Sequence, residues 1–133
     1  MINMGDLWMF QGTLTGVAGV ITLDTERINA AVAGVIQLDQ GMVAKIWELQ
    51  LEGNGIANIM IQYSKDGAVW EDLKGFSKPV ATVPERLEKF NRPIIAAEAW
   101  NNTTWLRFME VAGSAAGIEF SVNIEFDEIE RQP

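Results

Sequence analysis

The sequence predicts an all-β domain, a two-sheet antiparallel sandwich or jelly roll of about eight strands with at most one short helix. Three observations predict it. Ile118, Phe120, Val122, Ile124 and Phe126 alternate with Glu119, Ser121, Asn123 and Glu125, the period of a sheet with one dry face and one wet one. Turn-forming residues recur about every 8–12 residues, a spacing typical of sandwiches and barrels. The only helical signal is Pro84-Glu85-Arg86-Leu87-Glu88-Lys89-Phe90, where proline suits a first helical position and glutamate a first turn.

Taken in order, Leu7-Trp8-Met9-Phe10 opens the chain with large apolar side chains close to its start. Residues 1–16 read either as an edge strand of the sandwich or as an N-terminal arm that docks on a neighbouring subunit. Residues 17–133 read as the β-sandwich domain. On the arm reading Leu7, Trp8 and Phe10 form an interface, because such a patch left in water invites association. Next comes a near-repeat: Val17-Ala18-Gly19-Val20-Ile21-Thr22-Leu23-Asp24 returns as Val32-Ala33-Gly34-Val35-Ile36-Gln37-Leu38-Asp39. Two copies are too few for a solenoid, so the pair reads as two neighbouring strands, each ending in an Asp-led turn.

In the middle, Trp47, Leu49 and Leu51 alternate with Glu48, Gln50 and Glu52. Glu52-Gly53-Asn54-Gly55 turns the chain, and Ile59, Ile61 and Tyr63 resume the alternation. Lys65-Asp66-Gly67 is the next turn, with glycine supplying the positive φ that tight turns often demand. Trp70 to Leu73 is a short return strand. Trp105 to Val111 is apolar on both phases and is expected in a central position. It is expected to form a hairpin with the last strand across the small-residue loop Val111–Gly117. Trp47 and Trp105 are expected in the core. Trp100, beside Asn101-Asn102-Thr103-Thr104, is expected exposed, at a protein interface or against a sugar.

Composition narrows the chemistry. The chain has 133 residues, one domain's worth. It lacks cysteine, so disulfides and thiolate metal sites are excluded, and it lacks histidine, which removes Ser-His-Asp chemistry and most zinc sites. The adjacent acids Glu71/Asp72 and Asp127/Glu128 fall on or near strands, where neighbours face opposite ways and cannot flank one glycosidic bond, and Asp24 and Glu26 read as solvated charge. Asp66 and Asp72 flank a turn without an Asp-x-Asp-x-Asp run, a poor calcium loop. No catalytic residue, metal site or cofactor is therefore expected, and the chain is read as a binding protein rather than an enzyme. A net charge of −8 argues against nucleic acid and anionic membranes as partners. The start of the chain carries Asp6 and no basic group before its apolar residues, unlike a signal peptide, so synthesis and maturation in the cytoplasm are expected.

The segment Ile61-Gln62-Tyr63-Ser64-Lys65-Asp66-Gly67-Ala68-Val69-Trp70-Glu71-Asp72-Leu73 has the form strand, Ser-x-Asp-Gly-x-x-Trp, strand. It is followed later by Trp105-Leu106-Arg107-Phe108 and the alternating last strand. Over residues 56–126 this order resembles the small β-sandwich structural proteins of tailed bacteriophages, of the capsid decoration (cement) and tail types. It resembles more weakly the discoidin-like carbohydrate-binding jelly rolls. The first resemblance implies a virion protein on the capsid surface, made in the host cytoplasm. Its implied partner is a major capsid protein, and its implied state a homo-oligomer, a trimer being favoured. A tail or fibre component and a carbohydrate-binding module remain the alternatives. No catalytic residue is carried over by either resemblance.

Overall fold

A computed structural model describes residues 6–24, 35–38, 42–95 and 104–128. Its described residues are all strand, turn and loop, arranged as two antiparallel sheets packed face to face. The strands are β1 (Asp6–Thr13), β2 (Gly19–Val20), β3 (Leu23–Asp24), β4 (Val35–Leu38), β5 (Met42–Glu52), β6 (Ala57–Ser64), β7 (Glu71–Lys78), β8 (Glu85–Ile95), β9 (Thr104–Glu110) and β10 (Glu119–Glu128). The first sheet runs β3-β1-β10-β5-β8. The second runs β2-β9-β6-β7, with β4 also paired to β9.

The alternation read from the sequence sets which face each strand buries. Ile118, Phe120, Val122 and Ile124 lie inside, as do Trp47, Leu49 and Leu51 on β5 and Ala57, Ile59 and Ile61 on β6. Phe108 and Phe120 meet across the sheets with ring centroids 5.2 Å apart. Removing so much apolar area from water is the main stabilising term, at roughly 25 cal/mol per Å² buried.

Four expectations need correction. Pro84–Phe90 is not helical: Glu85 begins β8, which pairs along β5 from Glu52↔Glu85 to Val43↔Ile95. The long β5 would otherwise expose a row of unpaired backbone groups, and satisfying that edge outweighs a weak local helix preference. β8 also reverses the usual pattern. Leu87 points to solvent while Glu88 is half-buried and meets Lys74 of β7 at 3.4 Å. Charge turned toward the sandwich at an outer strand discourages a further strand from pairing there.

The second correction concerns β9 and β10, which form no hairpin. β9 pairs with β2, β4 and β6, whereas β10 pairs with β1 and β5. Residues 111–118 carry the chain from one sheet to the other.

Third, the buried phase of β9 is Leu106, Phe108 and Glu110, which leaves Trp105 half-buried on the outer side. The indole lies against the 65–69 turn, where a Cβ added at Gly67 would sit 3.7 Å from it.

Last, the repeat does not form two strands side by side. Gly19 and Val20 pair with Glu110 and Met109, and Val35 to Leu38 pair with Arg107 to Thr104, so the copies lie end to end along one edge of β9. Ile21 and Ile36, equivalent in the two copies, both enter the core. The first copy then changes sheets, with Leu23 pairing to Gly12 of β1.

Candidate functional site: a charge-free loop end

Four connections meet at one end of the sandwich: residues 14–18 after β1, 53–56 after β5, 79–84 after β7 and 111–118 after β9. None of the chain's 18 acidic and 10 basic residues lies in them. Val17, Ile56, Val80, Val83 and Val111 are exposed there, Val17 by 70% of its surface. Glycine, alanine, serine, threonine and proline make up most of the rest, which gives a surface of small and apolar groups.

Backbone hydrogen bonds stitch these loops together. Leu14 N–H donates to Ile118 O and Gly117 N–H to Leu14 O, both at 2.8 Å. Ala115 N–H donates to Ile56 O at 2.8 Å, Gly55 N–H to Ala81 O at 3.0 Å and Gly53 N–H to Pro84 O at 2.9 Å. Ser114 Oγ accepts from Asn58 N–H and donates to Val111 O, both at 2.9 Å. Gly55 is required by this closeness. Its φ is +121°, and a Cβ there would stand 2.5 Å from Ala115 Cβ, a separation no side chain tolerates.

Two of the charged side chains that border this end, on β7 and β9, point inward. Lys78, 1% exposed, donates from Nζ to Gly55 O at 2.8 Å, Val80 O at 2.9 Å and Ala81 O at 3.1 Å. All three ammonium protons thus have a carbonyl partner, the condition under which a lysine can be buried. Glu110, 3% exposed, accepts from Thr15 N–H at 2.8 Å and Gly16 N–H at 2.7 Å. Loop carbonyls and amides that would otherwise need water are satisfied from within by these two groups. The loops therefore hold their shape without a charge on their outer surface.

On the outer face of the first sheet a different chemistry begins at the rim. Glu119, Glu52 and Glu85 are direct cross-strand neighbours, and all three are exposed. Gln50 Nε2 donates to Glu85 Oε2 at 2.9 Å and to Glu52 Oε2 at 3.4 Å. A groove of about 290 Å³ opens beside them, lined by Gln11, Thr13, Gln50, Glu52, Glu119 and Ser121 among others.

The outer face of the second sheet is drier. Met60, Met109, Trp70 and Trp105 are half-buried there, with Val20 exposed at the edge. Arg107 lies 4.0 Å over the Trp70 ring and donates from Nε to Gln62 Oε1 at 2.9 Å. Gln62 in turn donates to Asp72 Oδ1 at 2.8 Å. Burial lowers the Arg107 pKa from the ordinary guanidinium range, and the side chain stays charged near neutral pH.

The Ser-x-Asp-Gly-x-x-Trp segment acts as a structural device. Gly67 N–H donates to Ser64 Oγ at 2.8 Å, Ser64 Oγ donates to Asp66 Oδ1 at 3.0 Å, and Ala68 and Val69 N–H both donate to Asp66 Oδ1 at 2.8 Å. The amide bonds from Val69 and Ala68, then the Ser64 hydroxyl, hold the Asp66 carboxyl below its ordinary 3.8. Asp66 and Asp72 are thus engaged separately, each within its own network.

Of the residues expected at an interface, Leu7, Trp8 and Phe10 lie on β1, which pairs with β10 from Asp6↔Phe126 to Thr13↔Glu119. Phe10 is fully buried in the chain's own core, so it has no area left for a neighbour. Trp8 is half-buried on the same side and meets Phe10 edge-on, ring centroids 6.1 Å apart. Trp100 falls outside the described residues. The exposed valines and Ile56 were not singled out by the sequence reading. The available signal was the absence of charge from all four connections, which becomes visible only once the topology brings them to one end.

No protein-family model matches the chain, and no curated protein does. Solved structures do match. The globular domain of the zebrafish complement 1qA protein superposes with a TM-score of 0.56 at 8% identity, covering 93% of this chain and 98% of that one. A family 35 carbohydrate-binding module from an environmental isolate reaches 0.48 at 17% identity, over 94% and 99% of the two chains. A chain of the cowpea mosaic virus top component, a naturally occurring empty particle, reaches 0.42 at 16% identity, over 97% and 85%. The neighbours thus include viral capsid proteins and carbohydrate-binding modules, all at low identity. The likeness at a TM-score of 0.56 shows a shared fold alone, in keeping with the β-sandwich that the two sheets form.

Proposed function

We propose that this chain is a virion structural protein, a capsid decoration (cement) protein of a tailed bacteriophage that docks on the assembled shell and stabilises it. The observation that carries the reading is the charge-free loop end. A protein of net charge −8 turns Lys78 and Glu110 inward and presents Val17, Ile56, Val80, Val83 and Val111 outward on loops already fixed by hydrogen bonds. A pre-formed apolar surface loses little freedom on binding, so more of its burial free energy appears as affinity. A ligand that binds only the assembled shell stabilises it by mass action. On this reading the protein works by binding, without catalysis, and its partner is the major capsid protein. The drier outer face of the second sheet, with Met60, Met109, Trp70 and Val20, is where copies of the chain would meet in a homo-oligomer, a trimer being favoured.

The test is co-sedimentation of the purified protein with shells that lack it, followed by thermal melting of those shells. The expected result is retention on the shell and a raised shell melting temperature, both lost in a Val17→Asp, Val111→Asp double variant that stays folded. Failure of the unaltered protein to sediment with shells would overturn the reading. Binding to isolated tails instead would reassign it to the tail.

A further inference from the structure

The 53–56 connection at the charge-free end contains Asn54-Gly55, the chain's single asparagine followed by glycine, and Asn54 is exposed. Asparagine is among the chemically labile residues. The backbone nitrogen of the next residue can attack its carboxamide carbon, and a glycine there puts no Cβ in the way. In this fold that nitrogen is occupied. Gly55 N–H donates to Ala81 O at 3.0 Å, and Gly55 O accepts from Nζ of the buried Lys78 at 2.8 Å. The flanking residues are bonded as well, Gly53 N–H to Pro84 O at 2.9 Å and Ala115 N–H to Ile56 O at 2.8 Å. Ring closure requires the Gly55 nitrogen to lose its proton and turn toward Asn54 Cγ, so this part of the loop must open first.

We propose that Asn54 is a site of spontaneous deamidation, restrained by the hydrogen bonds of Gly55, and that its reaction converts the charge-free end into an acidic one. The consequence for docking rests on the reading above, whereas the chemistry does not. The Gly55 nitrogen bonds to Asn54 Cγ and gives up its proton, the Cγ–Nδ2 bond breaks, and the side-chain nitrogen leaves as ammonia. Water then opens the cyclic imide. Cleavage of the new bond to Cγ leaves aspartate. Cleavage of the original bond between Asn54 C and Gly55 N leaves isoaspartate, whose main chain runs through Cβ and Cγ. Water is consumed, ammonia is released, and nothing is oxidised or reduced. Either product adds a carboxylate to connections that hold no charged residue. Docking would then have to strip water from that charge beside exposed Ile56, Val80 and Val83, a burial that is costly without a partner. Isoaspartate also lengthens the main chain by a carbon where Gly55 already packs against Ala115. Each molecule thus carries a clock, set by how often the loop opens.

The experiment follows residue 54 by peptide mapping with mass spectrometry during incubation at constant pH and temperature. It compares the folded protein, the protein unfolded in urea, and folded Lys78→Met. The unfolded chain should convert at least about tenfold faster than the folded one, with Lys78→Met in between. Should Lys78→Met fail to fold, the unaltered protein in urea below its unfolding transition takes its place, and conversion should rise together with hydrogen exchange at the Gly55 amide. Asn58 and Asn123, each followed by isoleucine, are internal references and should stay intact. Equal rates in the folded and unfolded protein would overturn the restraint, and an unfolded chain that keeps Asn54 would overturn the site. Shell binding of the aged protein should fall in proportion to conversion, while Asn54→Ser aged beside it should keep the capacity with which it began. Undiminished binding by converted protein would overturn the consequence for docking. If fresh protein does not bind shells at all, the docking reading falls, and the mapped conversion still decides the chemistry.

Discussion

The two ends of the sandwich hold their loops by opposite means. At the charge-free end, buried Lys78 and Glu110 reach up from the strands and bond the loop backbone from below. At the other end, the 64–69 turn is held by its own side chains: Ser64 and Asp66 bond amides within five residues, and Asp66 stays in water. The first arrangement moves charge inside and frees the surface for contact. The second leaves charge outside, on a turn whose outer side faces solvent. On the docking reading, this placement of charge separates a surface to be covered from one left in solvent.

Breaking the first arrangement should have the larger consequences. Lys78→Met removes three charge-assisted hydrogen bonds and leaves carbonyls short of partners, so it should cost about 3–4 kcal/mol in chemical denaturation. A cost below about 1 kcal/mol would mean that backbone bonds alone hold the loops. Gly55→Ala demands a positive φ of a non-glycine residue and crowds Ala115; a loss of about 2–3 kcal/mol is expected, with loop amides 53–56 and 79–84 exchanging faster with solvent. Glu110→Gln keeps the shape but turns an amide donor toward Thr15 or Gly16 N–H. The expected cost is about 1.5–2 kcal/mol, and a crystal structure should show the 14–18 loop displaced.

The smallest effect belongs to the exposed turn and is read as a pH dependence. The folded state holds the Asp66 carboxyl below 3.8, so its ionised form stabilises the fold above that pH. This contribution disappears as the pH falls through the lowered folded-state value. Asp66→Asn keeps the acceptor without the charge. The difference in melting temperature between the two proteins should be constant at neutral pH and shrink below pH 3.8, since all other carboxylates are common to both. A difference that stays constant into strong acid would show that Asp66 contributes shape only.

The same contrast explains how much could be read in advance. Strands with one phase apolar and the other polar announced their faces: Ile118 to Ile124 and Trp47 to Leu51 are buried on the phase expected. The Lys65-Asp66-Gly67 turn was equally legible, because its bonds are local. What escaped depends on partners distant in sequence. Trp105 was expected in the core, but the inner phase of β9 is that of Leu106, Phe108 and Glu110, whose carboxylate finds its donors in Thr15 and Gly16, some ninety-five residues earlier. β8 hid behind helix-forming residues, with Glu88 half-buried and Leu87 exposed. A loop that joins two strands of one sheet and a loop that crosses between sheets have the same composition, so residues 111–118 could not reveal which they were. The site was hidden for a related reason, since four uncharged loops form a surface only after the strands bring them together.

The place of β10 has a consequence for how the chain is made. It lies between β1 and β5, yet it is the last of the described strands to leave the ribosome. Until then β1 lacks the partner it pairs with along its whole length, and β5 has only β8 beside it. The nascent chain thus carries open strand edges and an uncovered apolar face throughout synthesis, the condition that favours chaperone capture or aggregation. Folding of the first sheet thus waits for β10. Production of this protein would then be limited by the protection of unfinished chains, and slower translation would make the exposure longer rather than helping the fold.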